Sequence, residues 1–309
     1  MNLKRLILGN KNNKLWYYVK VFAKGLVPKS YYTSRREKIL RNPYDEYIIS
    51  RVNYYNKLSA IKSLSPSAFQ ISDYKIPAKI RVYYFDSIEY LRYFEEKNKF
   101  EIIPGDVTHI PDFPSIVKSR PIDADNSNSV LLNLDKARHF NFIKDDISFE
   151  QKKNQLVGRS GFGQPHRAKF YQLYKDNLLC DLKKAAKKSD KDFLSIADHL
   201  KYKFILALEG NDVATNLKWI MSSNSIAVMP KPTYETWFME GKLLPDNHYI
   251  CINDDYSDLE EKLNYYINNT DKALQIIKNA QTYVDQFKNS KQEEKISLMV
   301  LDKYFRLTQ

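Results

Sequence analysis

The stretch from Tyr202 to Met229 limits what this chain can fold into more than any other. Its apolar run Phe204-Ile205-Leu206-Ala207-Leu208 has the length and content of a strand buried on both faces, as in a parallel sheet. Glu209-Gly210-Asn211-Asp212 breaks the run with turn-forming residues. From Val213 to Met221 the spacing of Ala214, Leu217 and Ile220 or Met221 predicts a helix face, with Asp212 as N-cap. Ser225-Ile226-Ala227-Val228-Met229, closed by Pro230 and Pro232, predicts a second strand. Strand, turn, helix and strand make one βαβ unit, and so an α/β fold.

Such a unit leaves the helix N-terminus open at the carboxyl end of its first strand. Unpaired N–H groups of Val213, Ala214 and Thr215, with the helix dipole, favour an anion there, most often a phosphate. Gly210 lets a ligand approach the backbone closely, and Lys218, further along the helix, adds positive charge. Asp212 works against a bare phosphate cradle, because a capping carboxylate competes for the same N–H groups. Both a structural βαβ unit and a nucleotide site satisfy this pattern.

A second concentration of unusual residues lies upstream. Gln155-Leu156-Val157 predicts a short strand that opens into the loop Gly158-Arg159-Ser160-Gly161-Phe162-Gly163-Gln164-Pro165-His166-Arg167. Three of the chain's 8 glycines fall there, where no packing argument asks for them. Arg159 and Arg167 supply forked donors suited to a pyrophosphate.

In the first half of the chain, Lys79 to Phe85 alternates and predicts a strand. Ser87 then caps a helix over Ile88–Lys97, and Phe100-Glu101-Ile102-Ile103 predicts another strand. Asp106 follows Ile103-Pro104-Gly105, just past a strand's carboxyl end, where open α/β sheets place ligands. It is the candidate general base; His109 and Asp112 compete for the role, and an ordinary turn aspartate is the alternative. Arg138-His139, after the predicted strand Ser129–Leu134, either contacts an acceptor or bridges domains. Helices are expected over Lys14–Val27, Tyr44–Leu64, Phe170–Tyr174, Asp181–Lys188, Leu259–Ile267, Asp271–Phe287 and Glu293–Leu307.

Charge and cysteine content bound the function classes. Residues 1–41 hold eleven Lys or Arg against the single acid Glu37, so +10 of the chain's +12 sits at one end. One basic end, interleaved with Trp16, Tyr17, Tyr18 and Phe22, fits a localised anionic partner: Lys14–Val27 is either a core-packing helix of the first domain or an interfacial helix resting on anionic lipid. No nucleic-acid-binding signature is present. Leu6-Ile7-Leu8 is too short for a signal-peptide core, and no apolar run reaches membrane-spanning length. The 2 cysteines, Cys180 and Cys251, show no metal-ligand spacing and suit a reducing compartment. The expected location is the cytoplasm.

Several ordered motifs together resemble the donor-binding core of glycosyltransferase family 90. They are His199-x-Lys201-Tyr202-Lys203-Phe204, the run from Glu209 to Lys218, and Ser223-x-Ser225-x-Ala227-Val228. Tyr234-Glu235-x-Trp237-Phe238, Leu244-Pro245-x-x-His248-Tyr249 and Asp255-x-Ser257-Asp258-Leu259 continue the series. The resemblance spans roughly Phe100 to Phe287 and is nearest the bacterial lipopolysaccharide branch. The basic turn Lys118-Ser119-Arg120-Pro121-Ile122 resembles the same members.

The resemblance implies a GT-B-like fold of two Rossmann-type, doubly wound domains with an interdomain cleft. The expected division is 1–152 for the acceptor side, with the helix 290–309 packing back on it, and 153–289 for the donor. It implies inverting transfer of a hexose from a UDP-sugar to a lipopolysaccharide core hydroxyl, with no cofactor beyond the donor. It also implies peripheral attachment, through residues 1–41, to the anionic cytoplasmic face of the inner membrane. Asp106 is then the base, and Arg167, Lys218 and the N–H groups near Val213–Thr215 stabilise the leaving diphosphate. Glu235 either holds a ribose or sugar hydroxyl or caps structure. His109, Arg138 and His139 fall to the acceptor. Asp123-Ala124-Asp125 matches the D-x-D of metal-dependent sugar transferases, but among Asn126, Ser127 and Asn128 it reads as a polar loop. This chain departs from the family where Ala214, Thr215 and Asn216 replace a serine and an arginine, and where Gly158-Arg159 reverses an Arg-Gly pair. Capsule or protein O-glycosyl transfer, or non-catalytic binding of glycolipid, are the competing functions.

Overall fold

The computed structural model describes residues 23, 25, 27–41, 45–122, 125–161, 163–185 and 187–309. The expected helix over Lys14–Val27 falls almost wholly outside these residues, as do Asp123, Ala124 and Phe162. The chain divides into two compact units. One gathers Arg138–Pro232 and Lys242–Gln286; the other gathers the described residues up to Ala137 with Thr233–Gly241 and Phe287–Gln309. Residues 138–152, which a single division at 152 assigns to the first half, thus lie with the later strands.

The first elements in chain order are α1 (Lys29–Arg41), α2 (Glu46–Tyr55), β1 (Phe69–Gln70) and α3 (Arg81–Leu91). Then come β2 (Lys99–Phe100), β3 (Ile102–Ile103), β4 (Ser115–Val117), β5 (Ser119–Pro121), β6 (Ser129–Leu131) and α4 (Lys136–His139). Three strands, in the order β3-β4-β6, make a small parallel sheet.

The strand expected at Lys79–Phe85 is a helix. Tyr83, Asp86, Ser87, Tyr90 and Leu91 are buried, a three-and-four spacing that runs past the end of the alternating stretch. Ser87 is no cap; its hydroxyl bonds back to the Tyr83 carbonyl at 2.7 Å within the helix.

Several charged residues are buried in this unit. Arg120 lies in β5 and is fully buried, its Nε 2.8 Å from Glu235 Oε1 on β11 (Tyr234–Thr236), which pairs antiparallel with β5. Its other nitrogens bond the carbonyls of Tyr54 at 2.7 Å and Ser129 at 2.9 Å. The Tyr54 hydroxyl also donates to Glu235, and burial followed by that carboxylate pushes the phenol well above its usual range. The last helix, α10 (Ser290–Thr308), joins the same unit through Glu293. Glu293 takes Arg51 Nη1 and Trp237 Nε1, each at 2.5 Å, and Trp237 stacks on Tyr55 with ring centroids 3.8 Å apart.

The other unit is built on one five-stranded sheet. Its elements are β7 (Lys153–Ser160), α5 (Pro165–Tyr174), β8 (Cys180–Lys184), α6 (Ile196–His199) and β9 (Tyr202–Leu206). There follow α7 (Leu217–Met221), β10 (Ile226–Met229), β12 (Ile250–Cys251), α8 (Leu259–Asn268) and α9 (Thr270–Asp285). All strand pairs are parallel, in the order β12-β10-β9-β7-β8. Every residue of β9 and β10 is buried, as the apolar runs predicted. Leu156, Phe204, Leu206, Val228 and Ile250 form the sheet's share of the core, closed by Phe170, Leu263, Ile276 and Ile277 from the helices.

Two local expectations fail here. Asp181–Lys188 was expected to be helical, yet 180–184 is the edge strand β8, in register with β7 from Leu156↔Cys180 to Ser160↔Lys184. Gly158 belongs to β7 and not to a loop, and packing does require it. A Cβ there would lie 2.8 Å from Leu182 Cδ2 and 2.9 Å from Tyr171 Oη. Replacing Gly158 with Ala should therefore destabilise the protein by about 1–3 kcal/mol through overpacking. A urea unfolding midpoint unchanged by that substitution would contradict this packing.

Candidate active site

Numbered along the chain, the strands of the five-stranded sheet lie in the order second, first, third, fourth, fifth. The first and third, β7 and β9, are neighbours, although β8 lies between them in sequence. The order reverses at this pair, and in open α/β sheets ligands bind at the carboxyl ends of the strands beside such a switch point. The segments that leave it are 161–167 after β7 and 207–216 after β9.

These two segments are tied together by α5. Pro165, whose missing N–H costs nothing at the first helical position, starts the helix. His166 and Arg167 follow in its first turn and reach across the switch point. His166 Nε2 lies 2.9 Å from the Glu209 carbonyl, which only accepts, so that nitrogen carries the proton. Arg167 Nε donates to the same carbonyl at 2.8 Å, and its Nη2 to the Leu208 carbonyl at 2.9 Å. Gln164 Nε2 adds a bond to Asn211 Oδ1 at 2.9 Å, and Asn216 Nδ2 spans the loop to the Leu206 carbonyl at 2.9 Å. Gly210 lies beside the guanidinium: a Cβ there would sit 3.4 Å from Arg167 Nη2.

The electrostatics follow from what holds Arg167. Its bonds go to carbonyls, and no carboxylate among the described residues forms an ion pair with it. Burial, and to a smaller degree the nearby charge of Arg138, lower its pKa. The N-terminus of α5 presents the same sign of partial charge. A partly buried cation and a helix N-terminus meet at one switch point, with the charge of Arg138 acting on the first, and the arrangement favours an anion there.

Other candidates are placed differently. Arg159 lies in β7 with its fork occupied: Nη2 is 2.8 Å from Asp181 Oδ1, and Nε bonds the Asp192 carbonyl at 2.9 Å. The helix expected from Val213 begins only at Leu217 and has five residues, with no side-chain cap; Asp212 does not cap it. Asp212, Thr215 and Asn216, whose side chains compete with helical bonding, leave 207–216 as a loop. Val213 and Ala214 are buried in that loop and Thr215 is half-buried. Lys218 is fully buried inside the short helix, so it does not extend from a helix terminus into open space.

Arg138 is exposed and acts on Arg167, whereas the adjacent His139 is buried. Glu235 is buried and accepts from Arg120 on one oxygen and from Tyr54 on the other. Sequence reading passed over His166, Gln164 and Asn216, although the first two lie within the loop it singled out.

The remaining candidates belong to the other unit. Asp106 lies beyond the carboxyl end of β3, and the buried Lys118 ammonium is 2.5 Å from its Oδ1. His109 is exposed and lines a separate cavity of about 280 Å³ with Glu101 and Asp112. Asp125 is exposed and accepts from the Ser127 N–H at 3.1 Å, an ordinary turn bond.

The model of "Glycosyl transferase family 90" matches residues 139–309. An "O-glucosyltransferase LpsA" from Dichelobacter nodosus is 42% identical over 306 residues, covering 96% of each chain. The chain belongs to glycosyltransferase family 90. The family match takes in the whole parallel-sheet unit from His139 onward, with Arg167 and the 207–216 loop; Asp106 lies before it, within the stretch shared with the Dichelobacter relative. As a family 90 member the chain is a glycosyltransferase.

Arg167→Met should weaken binding of a nucleoside diphosphate by roughly 10- to 100-fold, the range for losing a charged hydrogen bond. Arg159→Met should destabilise the fold yet leave that affinity unchanged. Calorimetric titration of both variants with UDP distinguishes them, and equal losses would contradict the assignment of Arg167.

Proposed function

We propose that this chain is an inverting transferase that moves a hexose from a UDP-sugar to a hydroxyl of a lipopolysaccharide core. The observation that carries the reading is the partly buried Arg167 guanidinium, bound by carbonyls and not by a carboxylate, at the switch point of a family 90 sheet. The printed name of the Dichelobacter relative, an O-glucosyltransferase, supports hexosyl transfer to oxygen. In this reading the parallel-sheet unit is the donor lobe of a GT-B-like enzyme, and the other unit carries the acceptor side and the base.

The chemistry follows from these groups. Asp106 takes the proton of the acceptor hydroxyl as its oxygen attacks the anomeric carbon, and Lys118 fixes the direction of the carboxylate. The bond from the anomeric carbon to the diphosphate breaks in line, so configuration inverts and the electron pair leaves with UDP. Arg167, Arg138 and the first N–H groups of α5 meet the charge that develops on the diphosphate. Preplaced cations supply this stabilisation, and the proposed mechanism uses no metal. The acceptor being lipid-anchored, the enzyme works at the cytoplasmic face of the inner membrane.

Asp106→Asn keeps the shape and the contact with Lys118 but removes the base. Transfer should fall by at least about a hundredfold while UDP-sugar affinity stays within error. Near-normal turnover in that variant would move the role to Asp112 or His109.

A further inference from the structure

We propose that the loop Lys75–Arg81 is a docking element for an anionic lipid bilayer. This surface is separate from the donor site and from residues 1–41. Within the described part of that basic segment, several cations already have partners in the chain. Arg35 pairs with Glu294 at 2.6 Å, Arg36 lies over the Phe94 ring, and Arg41 pairs with Glu37 at 3.3 Å. The 75–81 loop instead directs its charges outward.

Every residue from Lys75 to Arg81 is exposed. Lys75, Lys79 and Arg81 supply three cations, and no acid occurs between Asp73 and Asp86. Between the cations stand Ile76, 42% exposed, and Ile80, 52% exposed, with Pro77 and Ala78. Branched aliphatic tips among cations, without acids, meet both requirements of an anionic interface: apolar groups to enter it and charges to hold its headgroups. Among the described residues no helix is long and apolar enough to cross a membrane, so such attachment is peripheral.

The loop is also built to hold this shape. Tyr74 and Tyr84 close its base with ring centroids 4.9 Å apart, and Ser87 Oγ bonds the Tyr74 hydroxyl at 3.2 Å. Ile80 has φ 56° and ψ 37°, the left-handed region, where a β-branched residue is an outlier and glycine sits without strain. The fold thus keeps a half-exposed isoleucine where backbone preference asks for glycine. Beneath the loop, a cavity of about 490 Å³ is lined by Lys29, Tyr32, Tyr74, Tyr84, Arg92 and Glu96.

The test uses the full chain and flotation with vesicles of phosphatidylcholine, with or without phosphatidylglycerol. The parent should float with the anionic vesicles, not with the neutral ones, and lose binding at high salt. Lys75→Ser/Lys79→Ser/Arg81→Ser should lower partitioning on the order of a hundredfold. Ile80→Gly should melt at or above the parent temperature, because strain is released, and still partition less. UDP-sugar hydrolysis in solution should be unchanged in both variants, which separates this surface from the donor site. A triple variant that floats like the parent would assign the contact to residues 1–41 and overturn the proposal. Equal flotation with neutral vesicles, or an Ile80→Gly protein that melts lower, would overturn it as well.

Discussion

The guanidinium of Arg167, held by the carbonyls of Leu208 and Glu209, is the contact on which the site depends. It joins the first turn of α5 to the segment leaving β9, and so fixes the two walls of the switch point against each other. A carboxylate in the place of those carbonyls would do the same mechanical work and neutralise the charge. Carbonyls hold the fork in position and leave most of its charge to act on whatever enters.

Other cations in this chain show the contrast. Arg159 meets Asp181, Lys152 meets Asp145, Arg120 meets Glu235 and Arg51 meets Glu293, each at 2.8 Å or less. These pairs organise structure: removing one partner strands the other charge, at a cost of about 3–5 kcal/mol where both are buried. Arg120 and Glu235 tie β5 to β11, and Gly241 packs against that carboxylate, where a Cβ would lie 2.8 Å from Glu235 Oε2. A basic residue is therefore informative about ligands only when its counter-charge is known. The two arginines of the 158–167 stretch, equivalent as residue types, separate on that criterion.

Much of the parallel sheet was legible because its strands are apolar runs that only a doubly covered sheet accommodates. β9, β10 and the pairing of turn and strand around Gly210 could be read from residue order alone. What could not be read depended on partners distant in sequence. Glu235 resembles a site residue until Arg120, more than a hundred positions earlier, is seen to fill its carboxylate. α3 was mistaken for a strand because seven residues alternate, while its helical spacing continues beyond them. The helix after Gly210 is shorter than its apolar spacing implies, because the side chains of Asp212, Thr215 and Asn216 compete for backbone hydrogen bonds. The open helix N-terminus at the switch point is therefore that of α5 and not that of the five-residue α7.

The central claim is that a donor diphosphate sits at the β7/β9 switch point. Amide hydrogen exchange, followed with and without UDP-sugar, tests it without altering the protein. Protection should rise in 163–168 and 207–216, the two segments that Arg167 joins. Bound donor that leaves both segments unprotected, or protects only segments elsewhere in the chain, would contradict the account.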